Sequence, residues 1–131
     1  NNKETNRYAS DSRVSERALR EIYLKAFQIV VKEAGVWAVM TAYNLLNGIY
    51  TSENTDLLSG ILRGEWGFDG LVVTDWVNWA EHYREVLAGN NVRMPHGSPK
   101  RLQKAMEFGL VTREQLATNA RHVLEWLLKL L

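Results

Sequence analysis

An apolar run that ends abruptly in a carboxylate and an indole, Gly70-Leu71-Val72-Val73-Thr74-Asp75-Trp76, is the segment of this chain best equipped for chemistry. A carboxylate held at a strand end can attack an electrophile or carry a proton. In α/β barrels the reacting groups stand at the C-terminal ends of the strands, while the opposite rim serves stability. Asp75 falls on the reactive side of the run by that rule. Asp69, which precedes the run, does not. The competing reading of Asp75 is a helix N-cap after a buried strand, since its side-chain oxygens suit the first free N–H groups of a helix. The pattern alone leaves both open.

The elements that must position Asp75 alternate between strand and helix. Residues 1–14 are polar and aperiodic, which predicts a loop. Ser15 is a candidate N-cap, and Ala18, Leu19, Ile22, Ala26, Phe27, Ile29 and Val30 recur at helical spacing up to Gly35, a suitable C-terminal stop. The continuous apolar run 36–43 predicts a parallel strand covered on both faces, delivering Tyr43 to the rim of Asp75. A turn-rich loop around Asn47-Gly48 follows, then a helix capped by Asn54 that buries Leu57, Leu58, Ile61 and Leu62. After Asp75 the spacing predicts a helix over 79–87 ended by Gly89, and a short last strand, Val92-Arg93-Met94, stopped by Pro95. Ser98-Pro99 opens a further helix. Thr112-Arg113-Glu114-Gln115 reads as a capping box before a terminal helix with the stripe Leu116, Ala120, Val123, Leu124, Leu127, Leu128 and Leu131. Strands alternating with helices imply an α/β protein with a parallel sheet.

Composition narrows the partners. The 131 residues are 46% hydrophobic and 24% charged, ordinary for a globular domain. A formal net charge of +1, with basic and acidic residues intermixed, provides no field for a polyanion, so no nucleic acid is expected. No apolar stretch is long enough to predict a membrane segment. The lack of Cys removes thiolate catalysis and Cys-based metal sites, and His82, His96 and His122 show no ligand spacing. Neither a metal nor a cofactor is expected, and compartment stays open.

Asn1-Asn2-Lys3-Glu4-Thr5-Asn6-Arg7, Met40-Thr41-Ala42-Tyr43-Asn44, Asn47-Gly48, Leu62-Arg63-Gly64-Glu65-Trp66-Gly67-Phe68-Asp69-Gly70, Val73-Thr74-Asp75-Trp76 and Ala88-Gly89-Asn90 form an ordered set. That set resembles glycoside hydrolase family 3, in its β-glucosidase branch. The family's β-N-acetylhexosaminidase branch carries a His-containing loop with no counterpart here. The resemblance implies a (β/α)8 barrel, which typically needs about 250 residues. Residues 1–131 therefore read as a partial barrel domain, its C-terminal half, in a piece of a longer enzyme whose second domain is absent.

By resemblance, Asp75 is the nucleophile of a retaining β-glucosidase acting on terminal non-reducing β-D-glucosyl residues, and Trp76 lines the sugar pocket. Arg7 matches a guanidinium that binds glucose hydroxyls near the nucleophile, and its charge would hold Asp75 ionised. Tyr43 matches a hydroxyl donor beside that carboxylate. Met40 matches a pocket-lining position, although Met in a strand is commonly core filler. The family's acid/base Glu lies in its second domain, so Glu53 and Glu65 are read as a loop side chain and a structural carboxylate. Two positions depart from the family pattern: Asn91 stands where Asp is usual, and His96 where Gly is usual. The expected partners are a β-glucoside or oligosaccharide and the rest of the barrel with its acid/base domain, or a second copy of the chain. The alternative is a non-catalytic or engineered half-barrel assembly module that retains a partial sugar site.

Overall fold

A computed structural model describes residues 4–131, so Asn1, Asn2 and Lys3 of the first motif lie outside the described residues. The chain is an α/β structure with two small sheets. β2 (Ala38–Met40) and β5 (Leu71–Val73) pair in parallel, with Val39 opposite Val72. Val92 adds a parallel bridge to Val73, so the three apolar segments expected to lie side by side do so. The second sheet joins β1 (Asp11–Ser12), parallel, to a hairpin of β3 (Leu45–Leu46) and β4 (Ile49–Tyr50).

Helices fill the intervals. α1 (Glu16–Ala18) runs through a wider π-helical stretch, Leu19–Tyr23, into α2 (Lys25–Ala34). A π-helical segment, Asp56–Glu65, precedes β5. α3 (His82–Ala88), α4 (Pro99–Glu107) and α5 (Arg113–Leu128) complete the chain. The core gathers Leu58, Leu62, Phe68, Val72 and Ala88, with Val31, Val36, Val39, Leu57 and Trp66 packed around them. Removing these side chains from water is the main favourable term holding the helices to the β2–β5 pair. Gly70 is required where β5 begins, because a Cβ there would overlap the Trp37 carbonyl oxygen and the Phe68 ring.

The local stop and start signals act as their residue types dictate. Ser15 accepts from the Ala18 N–H, and Gly35 ends α2 in the left-handed region at φ 60. Asn54 Oδ1 accepts from the Leu57 N–H at 3.0 Å. Ser98 caps α4 with Pro99 in its first turn, Gly89 ends α3 at φ 91, and both bonds of the Thr112–Gln115 capping box are present.

Several expectations shift. The loop over 1–14 contains β1, whose polar residues pair with the hairpin through backbone bonds that no hydrophobic pattern announces. The run 36–43 is ladder only over Ala38–Met40, although Trp37 O and Thr41 N still bond across to β5. The helix expected over 79–87 begins at His82, because Asn78 and Arg93 claim the polar backbone atoms around Ala80. α5 docks by only part of its expected stripe: Leu116 and Val123 are half-buried, together with polar and aromatic residues outside it. Asn119 Nδ2 donates to Asn90 O at 2.8 Å, His122 Nε2 lies 3.2 Å from Gly70 O, and Trp126 meets Trp37 edge to face. Leu124, Leu127, Leu128 and Leu131 stay exposed.

Candidate active site

Asp75 follows the C-terminal end of β5, and Tyr43 follows the C-terminal end of its parallel neighbour β2. Parallel strands carry both residues to the same end of the sheet. The Tyr43 phenol faces the Asp75 carboxylate. Burial first, and then the pull of Asp75 on the hydroxyl and that carboxylate's charge, hold the Tyr43 phenol above its ordinary range. Asp75 Oδ1 also accepts from the Trp76 N–H at 2.7 Å.

Arg7 reaches this rim because its segment is zipped onto the β3–β4 hairpin. Leu45 N–H donates to Ser10 O at 2.9 Å and Asn47 N–H to Ser12 O at 3.1 Å. Asn44, buried immediately after Tyr43, donates to Ser12 Oγ at 3.0 Å. The turn that closes the hairpin needs Asn47 at φ 51 and Gly48 at φ 89, the left-handed pair expected of Asn-Gly. Asn47 clasps the backbone of Val14 through two bonds of 2.9 Å. The Arg7 guanidinium thereby lies 4.6 Å from the centre of the Tyr43 ring and 5.3 Å from that of Tyr8. Its ion pair is with Glu4, at 2.9 Å. The guanidinium thus lies over the Tyr43 ring.

Trp76 is 56% exposed beside Asp75, as an aromatic offered to a ligand would be. Met40, 58% exposed, lines an apolar cavity of about 450 Å³ with Tyr23, Phe27, Val39, Leu58 and Trp66. Asp75, Arg7 and Trp76 do not line that cavity. The site residues brought together are thus Arg7, Tyr43, Asp75 and Trp76.

Sequence reasoning missed two further groups at this rim. Tyr8 meets the Tyr43 ring edge-on at 4.6 Å and stacks on Trp79 at 5.4 Å and 16°. Beneath the loop after Asp75, the Glu85 carboxylate is wholly buried and accepts from Arg93 Nη1 at 2.7 Å and Asn78 Nδ2 at 2.8 Å. Arg93 also donates to Ala80 O and Asn78 O, and the Ala80 N–H to Asn78 Oδ1. Burial pushes the Glu85 carboxyl up, against the pull of Arg93. Between Asp75 and this cluster, Val77 takes φ 58, costly for a β-branched residue, and its N–H donates to Met94 O at 3.1 Å.

Glu65 and Glu53 are engaged by neighbouring groups. Glu65 takes a two-point contact from Arg20, at 2.6 and 2.9 Å, and Glu53 accepts from the Glu81 N–H. Among the described residues no cluster of His, Asp or Glu is placed to hold a metal ion.

Residues 4–126 match the family described as Glycosyl hydrolase family 3 N terminal domain. Beta-glucosidase A of Butyrivibrio fibrisolvens is 55% identical over 88% of this chain and 14% of its own. The exo-alpha-(1->6)-L-arabinopyranosidase of Bifidobacterium longum is 43% identical over 95% of this chain and 17% of its own. The structure of beta-glucosidase 3B from Thermotoga neapolitana, solved with glycerol, superposes at a TM-score of 0.88 with 41% identity. It covers 93% of this chain and 18% of that one, so the chain spans under a fifth of the length of the proteins it resembles.

Proposed function

Since the chain belongs to glycosyl hydrolase family 3, we propose that it is the nucleophile-bearing part of a retaining β-glucosidase that removes terminal β-D-glucosyl residues. In this reading residues 1–131 are the C-terminal half of a (β/α)8 barrel, and β2, β5 and the Val92 segment are three of its consecutive strands. The observation that carries the assignment is the convergence of Asp75 and Tyr43 from the C-terminal ends of adjacent parallel strands.

The chemistry divides into two steps. An Asp75 carboxylate oxygen forms a bond to the anomeric carbon as the bond to the leaving oxygen breaks, and that oxygen takes a proton from an acid supplied by another part of the enzyme. Water then attacks the same carbon, gives its proton to the conjugate base, and releases Asp75 with configuration retained. Tyr43 fixes the carboxylate's direction, Arg7 offers a planar set of donors to the sugar hydroxyls, and Trp76 offers an apolar face to the ring. The two carboxyls of a retaining enzyme stand about 5 to 5.5 Å apart, which sets where the acid must enter. No step calls on a cofactor.

The experiment is covalent trapping in the full-length protein that carries this chain. An activated 2-deoxy-2-fluoro-β-glucoside should leave its label on Asp75, and a label on any other residue overturns the assignment. The likeness to an exo-alpha-(1->6)-L-arabinopyranosidase supports a second reading in which the glycon is a pentopyranose. Comparing kcat/KM for the 4-nitrophenyl β-D-glucoside and α-L-arabinopyranoside separates the two. A protein that traps no sugar and turns over neither would instead be the assembly module.

A further inference from the structure

We infer that Arg93, gripped by the buried Glu85 carboxylate, is a positioning residue that sets the aim of Asp75 by pinning the loop between β5 and α3. The inference rests on the glucosidase reading above and goes beyond it by assigning that aim to a charge pair that neither reaction step uses. Asp75 stands on the loop after β5, outside the ladder, so its direction depends on what fixes the loop. The loop is laced to residues 92–94 on both sides of Asp75. Before it, the Thr74 N–H donates to Val92 O at 2.9 Å, and the buried Thr74 Oγ1 accepts from the Met94 N–H at 2.8 Å. After it, the Val77 N–H donates to Met94 O at 3.1 Å. Arg93, in the middle of that segment, extends the lacing with its side chain: Nη2 donates to Asn78 O at 3.2 Å and Nη1 to Ala80 O at 2.9 Å.

Val77 is the reason a pin is needed. A β-branched residue at φ 58 keeps that conformation only while its surroundings over-determine it. If Val77 relaxes, the backbone turns two residues from Asp75 and swings the carboxylate away from Tyr43. The Arg93 grip in turn requires a compensated charge. Glu85, wholly buried, accepts from Arg93 Nη1 at 2.7 Å and from Asn78 Nδ2 at 2.8 Å, so both members of the pair hold the loop at Asn78. Apolar side chains of similar volume commonly support a fold as well as a buried ion pair does. They would offer no donor to Asn78 O or Ala80 O, which is the part of the pair that bears on Asp75.

The test is labelling of the full-length protein by 2,4-dinitrophenyl 2-deoxy-2-fluoro-β-D-glucoside, which separates aim from folding. Its leaving group departs without a proton, so the rate constant at saturation reads the attack by Asp75, while the final stoichiometry counts folded sites. Glu85→Gln/Arg93→Met leaves no buried charge unpaired but removes the donors to the loop. It should label to the wild-type stoichiometry with a rate constant roughly 10- to 100-fold lower, the scale of a misplaced reacting group. Arg93→Lys keeps a charge beside Glu85 but has no fork to span all three acceptors, and its rate should fall between the two. A wild-type rate constant in the double variant overturns the inference, as does a loss confined to the stoichiometry. Should the double variant not fold, Arg93→Lys decides, and a wild-type rate there overturns the inference. Failure of the underlying reading is seen separately, in the wild-type protein, as absence of the fluoroglucosyl label on Asp75.

Discussion

Arg63 and Asn91 meet at 2.8 Å beneath the start of β5, and the guanidinium also donates to the carbonyls of Phe68, Gly70 and Gly89. Every partner among these bonds is neutral. Burial accordingly lowers the Arg63 pKa, opposed by the charge of Asp69. Asn91 Oδ1 also accepts from the Val72 N–H at 2.9 Å, so one amide oxygen ties helix, strand and loop together.

Asn91→Asp should therefore stabilise the fold. A carboxylate keeps both acceptor contacts and turns the Arg63 bond into a charge-assisted one, about 1 kcal/mol stronger than its neutral counterpart. Denaturant unfolding reads the gain as a higher midpoint at constant slope. A lower midpoint would mean that the carboxylate costs more to bury here than Arg63 returns.

Much of this frame is legible in the sequence wherever the cause is local. Ser15, Gly35, Ser98-Pro99 and Thr112/Gln115 act on the backbone within a turn or two of themselves, so their residue types suffice. Asp75 and Tyr43 are legible because apolar strand runs end at them. What escaped depends on distant partners. Glu85 and Arg93 lie on a helix and a loop, and nothing in their spacing marks them as a buried pair. The docked face of α5 is only partly legible from its stripe, because Asn119 and His122 hold it through hydrogen bonds, which hydrophobic periodicity does not register. Tyr8 becomes informative only once β1 has zipped onto the hairpin.

Removing one member of the Glu85–Arg93 pair leaves the other charge buried. Glu85→Ala should cost about 3 to 5 kcal/mol, and Glu85→Ala/Arg93→Met together less than the two single changes added. Additive losses in a double-mutant cycle would show that the two side chains do not share one interaction.

Arg20 holds the Glu65 carboxyl below its ordinary value, chiefly through their hydrogen bonds. A depressed carboxyl contributes stability above its unfolded pKa and loses it as pH falls through the folded one. In an NMR titration Glu65 should therefore have its midpoint below 4.5, and Arg20→Met should move that midpoint upward. A midpoint unmoved by Arg20→Met would remove the pair from the acid-side behaviour of the protein.

Tyr43 and Asp75 give a mutual test of the site. The carboxylate raises the phenol, so Asp75→Asn should lower the Tyr43 midpoint in an ultraviolet titration while leaving the part due to burial. In the complete enzyme Tyr43→Phe removes the hydroxyl proposed to direct the nucleophile, and kcat should fall about 10- to 100-fold, the scale of one lost hydrogen bond at a reacting group. Unchanged turnover in Tyr43→Phe would reduce the tyrosine to packing.

Self-association of the 131-residue chain follows from which faces are uncovered. Among the described residues β2 pairs on one edge only, with β5, and an open strand edge offers its unpaired backbone groups to another chain. On α5, Leu124, Leu127 and Leu128 are exposed at helical spacing, with Leu131 exposed beyond its end, and Ile22, Phe27 and Val30 are exposed on the first helical arm. Contiguous apolar surface of this kind is a docking or aggregation face. In light scattering at micromolar concentration the chain should be larger than one copy. Leu124→Glu/Leu128→Glu should shift it toward the monomer without loss of helix in circular dichroism, because the docked face of α5, with Asn119, His122 and Trp126, is untouched. A monomer at these concentrations would show that the exposed leucines are tolerated by water without a partner, and unfolding of the double variant would show that they already carry part of the core.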